Sequence, residues 1–163
     1  MIRRTLLRWF GQLPKPVRRF VIRRATPTWT AGAVAILERA DGRWLMVSPV
    51  YRKGWSLPGG LVDRGEDPAS AVIREFTEEL GLTIAVTGDP WIVYDSTVRR
   101  IDAIFRAELV DDIDLDAIQV QTPELDGLGW FEPTAPPEIE EETEDVLVLV
   151  RRVNEGGPSV LWR

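Results

Sequence analysis

Three glutamates, Glu75, Glu78 and Glu79, stand at i, i+3 and i+4 within residues 60–82, GLVDRGEDPASAVIREFTEELGL. On a helix that advances about 100° per residue they fall within a sector of roughly 100°. Like charges at this spacing cost about 0.2–0.5 kcal/mol per pair on an exposed helix, and a divalent cation turns that repulsion into coordination. A solvated acidic helix face is the other reading of the trio. Three neighbours favour the cation. Glu66 precedes the helix and reaches the same region, Arg74 adjoins Glu75, and Gly59-Gly60 form a turn that can aim backbone carbonyls at the same ion. The chain has no cysteine and no histidine. That excludes disulfides, zinc knuckles, iron–sulfur clusters, thiolate nucleophiles and imidazole-based proton relays. Proton transfer and metal binding therefore fall mainly to carboxylates, and oxygen-only ligands select hard cations, Mg²⁺ or Mn²⁺.

The elements that must position these groups can be read from local pattern. Asp67 is an N-cap, Pro68 suits the first helical position and Gly81 suits the C-terminal stop. Ala69, Val72, Ile73, Phe76 and Leu80 form the apolar stripe of that helix. Upstream, residues 29–38 and 43–48 read as strands around the Asp41-Gly42 turn. Downstream, 82–87 and 91–94 read as short strands broken by Gly88-Asp89-Pro90, and 99–110 as a long strand. An acidic loop, Asp111 to Asp116, leads to short strands at 117–120 and 128–131. A last amphipathic helix is predicted from about Pro137 to Val153, with Ile139, Val146, Leu147 and Val150 inward. Strands mixed with two helices give an α/β (α+β) sandwich.

The 163 residues suit one core, and no apolar run approaches the ~20 residues that span a bilayer. The net charge of −6 hides a division. Residues 1–24 carry seven arginines, Lys15 and no acid, a charge of +8, which leaves −14 on the remaining 139 residues. The segment reads as two short helices around Pro14-Lys15-Pro16. Ile2, Leu6, Trp9, Phe10 and Leu13 face one way in the first, and Val17, Phe20 and Val21 in the second. Docking on the acidic body or on a second subunit, as in a homodimer, is one role for it. Peripheral contact with an anionic membrane is another. Nucleic acid is the weakest partner, since the body repels phosphate backbones. The expected organisation is a basic helical extension over 1–26, a catalytic domain over 27–156 and a C-terminal tail over 157–163. The composition is compatible with the cytoplasm, and the segment is not a secretory signal.

Residues 60–82 resemble the signature of the Nudix hydrolase family without a departure, at Gly60, Glu66, Arg74, Glu75, Phe76, Glu78, Glu79, Gly81 and Leu82. A looser likeness extends from about residue 29 to 153. The resemblance implies a three-layer α/β/α sandwich on a mixed sheet. It implies hydrolysis of a nucleoside diphosphate linked to another group X, by water with Mg²⁺ or Mn²⁺. Carried over by position, Glu78, Glu79 and the Gly60 carbonyl bind metal, and Glu75 binds metal or activates water. Arg74 holds Glu75, and Glu66 supports the cluster. Relatives often recruit a further acid from a later loop. Glu124 is the first choice here and Asp126 the second, with a plain turn carboxylate as the alternative. Arg52 and Lys53 are expected at substrate phosphates, or else in a solvated loop. Tyr51, Trp55 and Trp91 are expected to stack on a base, or else to pack in the core. The substrate is expected to be a small nucleotide, either a nucleoside triphosphate, oxidised forms included, or a nucleotide-sugar. A nucleotide-binding regulatory module, or one working at a membrane surface, is the alternative function on the same fold.

Overall fold

A computed structural model of the chain describes residues 9–163. The expected positions of Ile2 and Leu6 lie outside the described residues. Residues 9–12 are helical, and after Pro14 comes α1 (Lys15–Ala25). The domain then runs β1 (Thr30–Leu37), β2 (Trp44–Pro49), β3 (Gly59–Leu61), α2 (Pro68–Leu80), β4 (Ile84–Asp95), β5 (Arg100–Leu109), β6 (Leu125–Phe131), α3 (Glu141–Asn154) and β7 (Val160–Trp162). Five strands form one mixed sheet in the order β3-β1-β5-β4-β7, and β2 pairs with β6 in a second, two-stranded sheet. Among the described residues, no helix is long and apolar enough to cross a membrane.

Alternation along β1 and β5 sorts the five-stranded sheet into two faces. Ala33, Ala35, Leu37, Ala103, Phe105 and Ala107 join Val72, Phe76 and Leu80 of α2 in one buried cluster. Ile36 and Ile104 join Val146, Leu149 and Val150 of α3 in the other. Small residues on the first face let α2 pack closely. The result is the α/β/α sandwich on a mixed sheet that the sequence led us to expect.

Several boundaries differ from the sequence reading. Gly88-Asp89-Pro90 does not end a strand, because β4 continues through it with a register shift between Thr87 and Trp91. A bulge absorbs the proline, whose missing N–H would otherwise interrupt the ladder. Residues 118–120 form no strand, and a 3-10 turn at Leu115–Ala117 precedes them, with Asp114 accepting from the Asp116 amide. β6 starts at Leu125 rather than 128. α3 starts at Glu141, not Pro137, because Ile139 is extended and bridges to Trp55. Residues 157–163, expected as a tail, contribute β7, which runs parallel to β4.

Candidate active site

The predicted capping of the signature helix is realised atom by atom. Asp67 accepts from the amides of Ala69 and Ser70, and Gly81 takes the left-handed conformation at φ 67° while its amide bonds back to Thr77. A side chain at Gly81 would also run into Gln121. These stops fix which residues face the core, and so fix the opposite face as well. Gly59-Gly60, expected as a turn, is instead part of β3, which pairs antiparallel with β1 and lies against α2. A Cβ on Gly60 would meet Glu75 Oε1 where Arg74 holds it, so glycine lets the strand lie against that carboxylate as placed.

Arg74 is the hub of the acidic group. Its Nε reaches Glu66 Oε1 at 3.1 Å, while Nη1 reaches Glu75 Oε1 at 2.9 Å and Glu78 Oε2 at 3.1 Å. Nη2 bonds Glu66 Oε2 at 3.2 Å and the Leu61 carbonyl at 3.2 Å. Glu66 also accepts from the Asp63 amide at 3.0 Å. The Arg74 bonds, joined by that amide, hold the Glu66 carboxyl below its ordinary range, and Glu66 in turn raises Arg74. The expected roles of Arg74 in holding Glu75, and of Glu66 in supporting the cluster, therefore have a geometric basis.

Glu79 stands apart from that network. Its Oε2 is buried without a hydrogen-bond partner. Burial pushes its carboxyl up to about 7, the charges of Glu75, Glu124 and Glu78 push it the same way, and the Gly59 amide pulls it back. Glu124 comes from the loop before β6 and lines the same cleft as Glu75 and Glu79. Among the described residues, no three acidic side chains are already drawn together as a formed ion site, and Arg74 holds three of the five expected acids, Glu66, Glu75 and Glu78. The residues nonetheless fit a hard divalent cation. An orphaned carboxylate oxygen, three further carboxylates raising its pKa, and a Cβ-free stretch of β3 beside Glu75 make an oxygen-only set short of positive charge. Glu75, Glu79 and Glu124 would hold such a cation, with Gly60 in the same lining, whereas Glu78, expected as a ligand, is exposed, bonds Arg74 and does not line the cleft.

The cleft measures about 720 Å³ and runs from these glutamates across the edge of the sheet to the start of α3. Tyr51 and Arg52 line it, but Arg52, expected at phosphates, is paired with Glu140 and Glu142. Lys53 and Trp55 are not among its lining residues. Trp55 instead packs on Phe131 at 4.6 Å between ring centroids, and Trp91 lies under Arg106 against the core of the α3 face. Both take the packing alternative. Asp126 is exposed and does not line the cleft.

Sequence reasoning missed the far end of the cleft, where Arg100, Asp102, Glu140 and Glu142 meet. Arg100 Nε donates to both oxygens of Asp102 at 2.8 Å, and Arg52 Nη1 donates to Glu140 Oε2 at 2.9 Å and Glu142 Oε1 at 3.2 Å. Asp102 is nearly buried, and desolvation raises its carboxyl against the pull of Arg100. The one local signal was the polar pair Arg100 and Asp102 at i, i+2, on the strand face that also carries the buried Ile104.

A fold of this kind with an acid-lined cleft is that of a hydrolase class, and comparison with known proteins places it. A family model described as NUDIX domain matches residues 28–153. The chain belongs to the Nudix family and is a Nudix-type hydrolase. It is 33% identical over 126 residues to an RNA pyrophosphohydrolase of Acidiphilium cryptum, covering 67% of this chain and 73% of that one. It is 29% identical over 140 residues to a MutT-like protein of Streptomyces ambofaciens, covering 82% and 83%. A solved NUDIX hydrolase from Nitrosomonas europaea shares the fold at a TM-score of 0.66 and 17% identity, over 85% of this chain and 81% of that one.

Proposed function

We propose that this enzyme hydrolyses a pyrophosphate bond in a small nucleoside diphosphate linked to X, with Mg²⁺ or Mn²⁺ as cofactor and water as nucleophile. X is the rest of a nucleoside triphosphate, oxidised forms included, or a sugar. The observation that carries the reading is the buried, unpartnered Glu79 Oε2 beside Glu75 in the cleft. A cation bound there supplies charge neutralisation and a more acidic water. Arg74 keeps Glu75 and Glu66 in fixed orientation, and Glu75 accepts the proton of the attacking water. Positioning and electrostatics suffice for such a transfer, which suits a chain without Cys or His.

The test is a panel of nucleoside triphosphates and nucleotide-sugars with Mg²⁺, Mn²⁺ or chelator, reading phosphate and pyrophosphate. Because one relative is named an RNA pyrophosphohydrolase, RNA with a 5′-triphosphate belongs in the panel. The expected result is cation-dependent release of a nucleoside monophosphate, lost in Glu79→Gln. Turnover indifferent to chelation and to Glu79→Gln overturns the reading. Preference for the RNA end replaces the small-molecule substrate.

A second reading concerns where the enzyme works. We propose a cytoplasmic enzyme held at an anionic membrane surface by residues 1–24. α1 carries Lys15 and four arginines, buries none of its residues, and leaves Phe20 61% exposed. Basic charge and an exposed aromatic suit lipid headgroups. Sedimentation with anionic liposomes should be lost in a chain beginning at Ala25. Equal sedimentation would instead assign the segment to a second subunit or to the acidic body.

A further inference from the structure

The end of the cleft away from α2 is built by segments outside the family signature, and Glu140 is the residue there with an unmet demand. It is 7% exposed and stands immediately before α3. Its Oε2 accepts from Arg52, and its Oε1 has no partner. Backbone contacts hold it there. The Trp55 amide donates to the Glu138 carbonyl at 2.8 Å, and the Glu140 amide donates to the Trp55 carbonyl at 3.0 Å. Gly54, at φ 99°, lets the backbone of 138–140 approach to where a Cβ would stand.

Two guanidiniums serve three carboxylates here: Arg52 also reaches Glu142, and Arg100 spans Asp102 and, at 3.7 Å, Glu142. Neither reaches Glu140 Oε1, which is left short of an N–H or O–H donor. A buried carboxylate oxygen without a donor is costly, and a bound ligand can supply one. Arg52 meets these carboxylates through Nη1 only, so its guanidinium offers other N–H groups beside the free acceptor. Tyr51 is 68% exposed, lies 5.6 Å from the Arg52 guanidinium and lines the same cleft. A free acceptor, free donors and an aromatic face, opposite the end that handles phosphate, are the parts of a nucleobase subsite.

We propose that Tyr51, Arg52 and Glu140 read the nucleobase and select a guanine-type base. The proposal rests on the pyrophosphohydrolase reading above and deepens it. Guanine presents a carbonyl, a ring N–H and an amino group in a row. The carbonyl meets Arg52, and the adjacent donors meet Glu140 and its neighbour Glu142. Adenine and cytosine bring an amino group beside a bare ring nitrogen, and uracil brings one N–H between two carbonyls. Each supplies fewer adjacent donors and sets an acceptor against a carboxylate. Tyr51 stacks on any of them.

Two measurements test this on the full chain. The first is kcat/KM for GTP, ATP, CTP and UTP with Mg²⁺. The second is calorimetric titration with GMP and with AMP without metal. The expected preference for GTP is on the order of tenfold or more, since a site built for substrate N–H groups rejects analogues that lack them. Glu140→Leu should bring both preferences close to unity, and Tyr51→Ala should weaken all four bases alike. Should Glu140→Leu fail to fold in a thermal melt, Glu140→Met, which nearly keeps the volume and has no oxygen acceptor, carries the same comparison. Flat preference in the unaltered enzyme, or full preference in a folded Glu140 variant, overturns the proposal. Tighter GMP than AMP binding with no hydrolysis of any nucleotide would leave the base subsite standing and remove the pyrophosphohydrolase reading. Hydrolysis with equal binding of GMP and AMP would do the reverse.

Discussion

Glu79 makes the metal-free enzyme sensitive to pH in a direction that can be worked out. Its carboxyl titrates near 7 in the fold, chiefly through burial, against an ordinary value of 4.5. Below about pH 4.5 the group is protonated in both folded and unfolded chains and costs nothing. As pH rises, the unfolded chain releases its proton first, so the fold loses stability until about pH 7 and the loss then levels off. At 1.36 kcal/mol per pKa unit, a rise from 4.5 to about 7 corresponds to about 3 kcal/mol. The assay is urea denaturation with chelator present, at pH 5 and pH 8, on the unaltered protein and on Glu79→Gln. Other titrating groups are common to both proteins, so the difference between them isolates Glu79. The variant should gain relative to the parent by about 2.5 kcal/mol between the two pH values, since part of the loss has already occurred at pH 5. Saturating Mg²⁺ at pH 8 should stabilise the parent more than the variant. Parallel stabilities across the pH range would refute the claim that Glu79 is buried and short of positive charge.

The scaffold gives two further predictions. Arg74→Lys keeps the charge but cannot reach Glu66, Glu75 and Glu78 together, so kcat should fall on the order of 10–100-fold, and parent-like turnover would remove the positioning role. Phe76→Ala empties a fully buried position under the sheet, and chemical denaturation should show a loss of about 3–5 kcal/mol.

The parts of this site that could be read from sequence are those whose determinants are local. Asp67, Gly81 and the apolar stripe between them fix one helix, and that helix alone sets the mutual placement of Glu75, Glu78 and Glu79. The β4 bulge was hidden because proline and glycine punctuate a chain in the same way whether a strand ends or bends. Trp55 could not be decided from sequence, because an aromatic beside a loop looks alike whether it faces a ligand or Phe131. Leu149, the most buried residue of α3, went unnamed because the helix was started too early. Glu140 was out of reach for a different reason. It meets an arginine 88 residues away, in a place made by the Gly54 turn and the first turn of α3. Nothing in its own neighbourhood, a run of exposed acids, distinguishes it.

The short terminal strand has a consequence for solubility. β7 is three residues long, is anchored by the Tyr94–Trp162 stack at 4.2 Å, and satisfies the outer backbone groups of β4. A chain clipped before Val160 would leave Ile92–Tyr94 as an open template for strands of other molecules. β7 therefore acts as a guard against aggregation, and proteolytic cleavage before it should show first as turbidity, before any loss of catalysis.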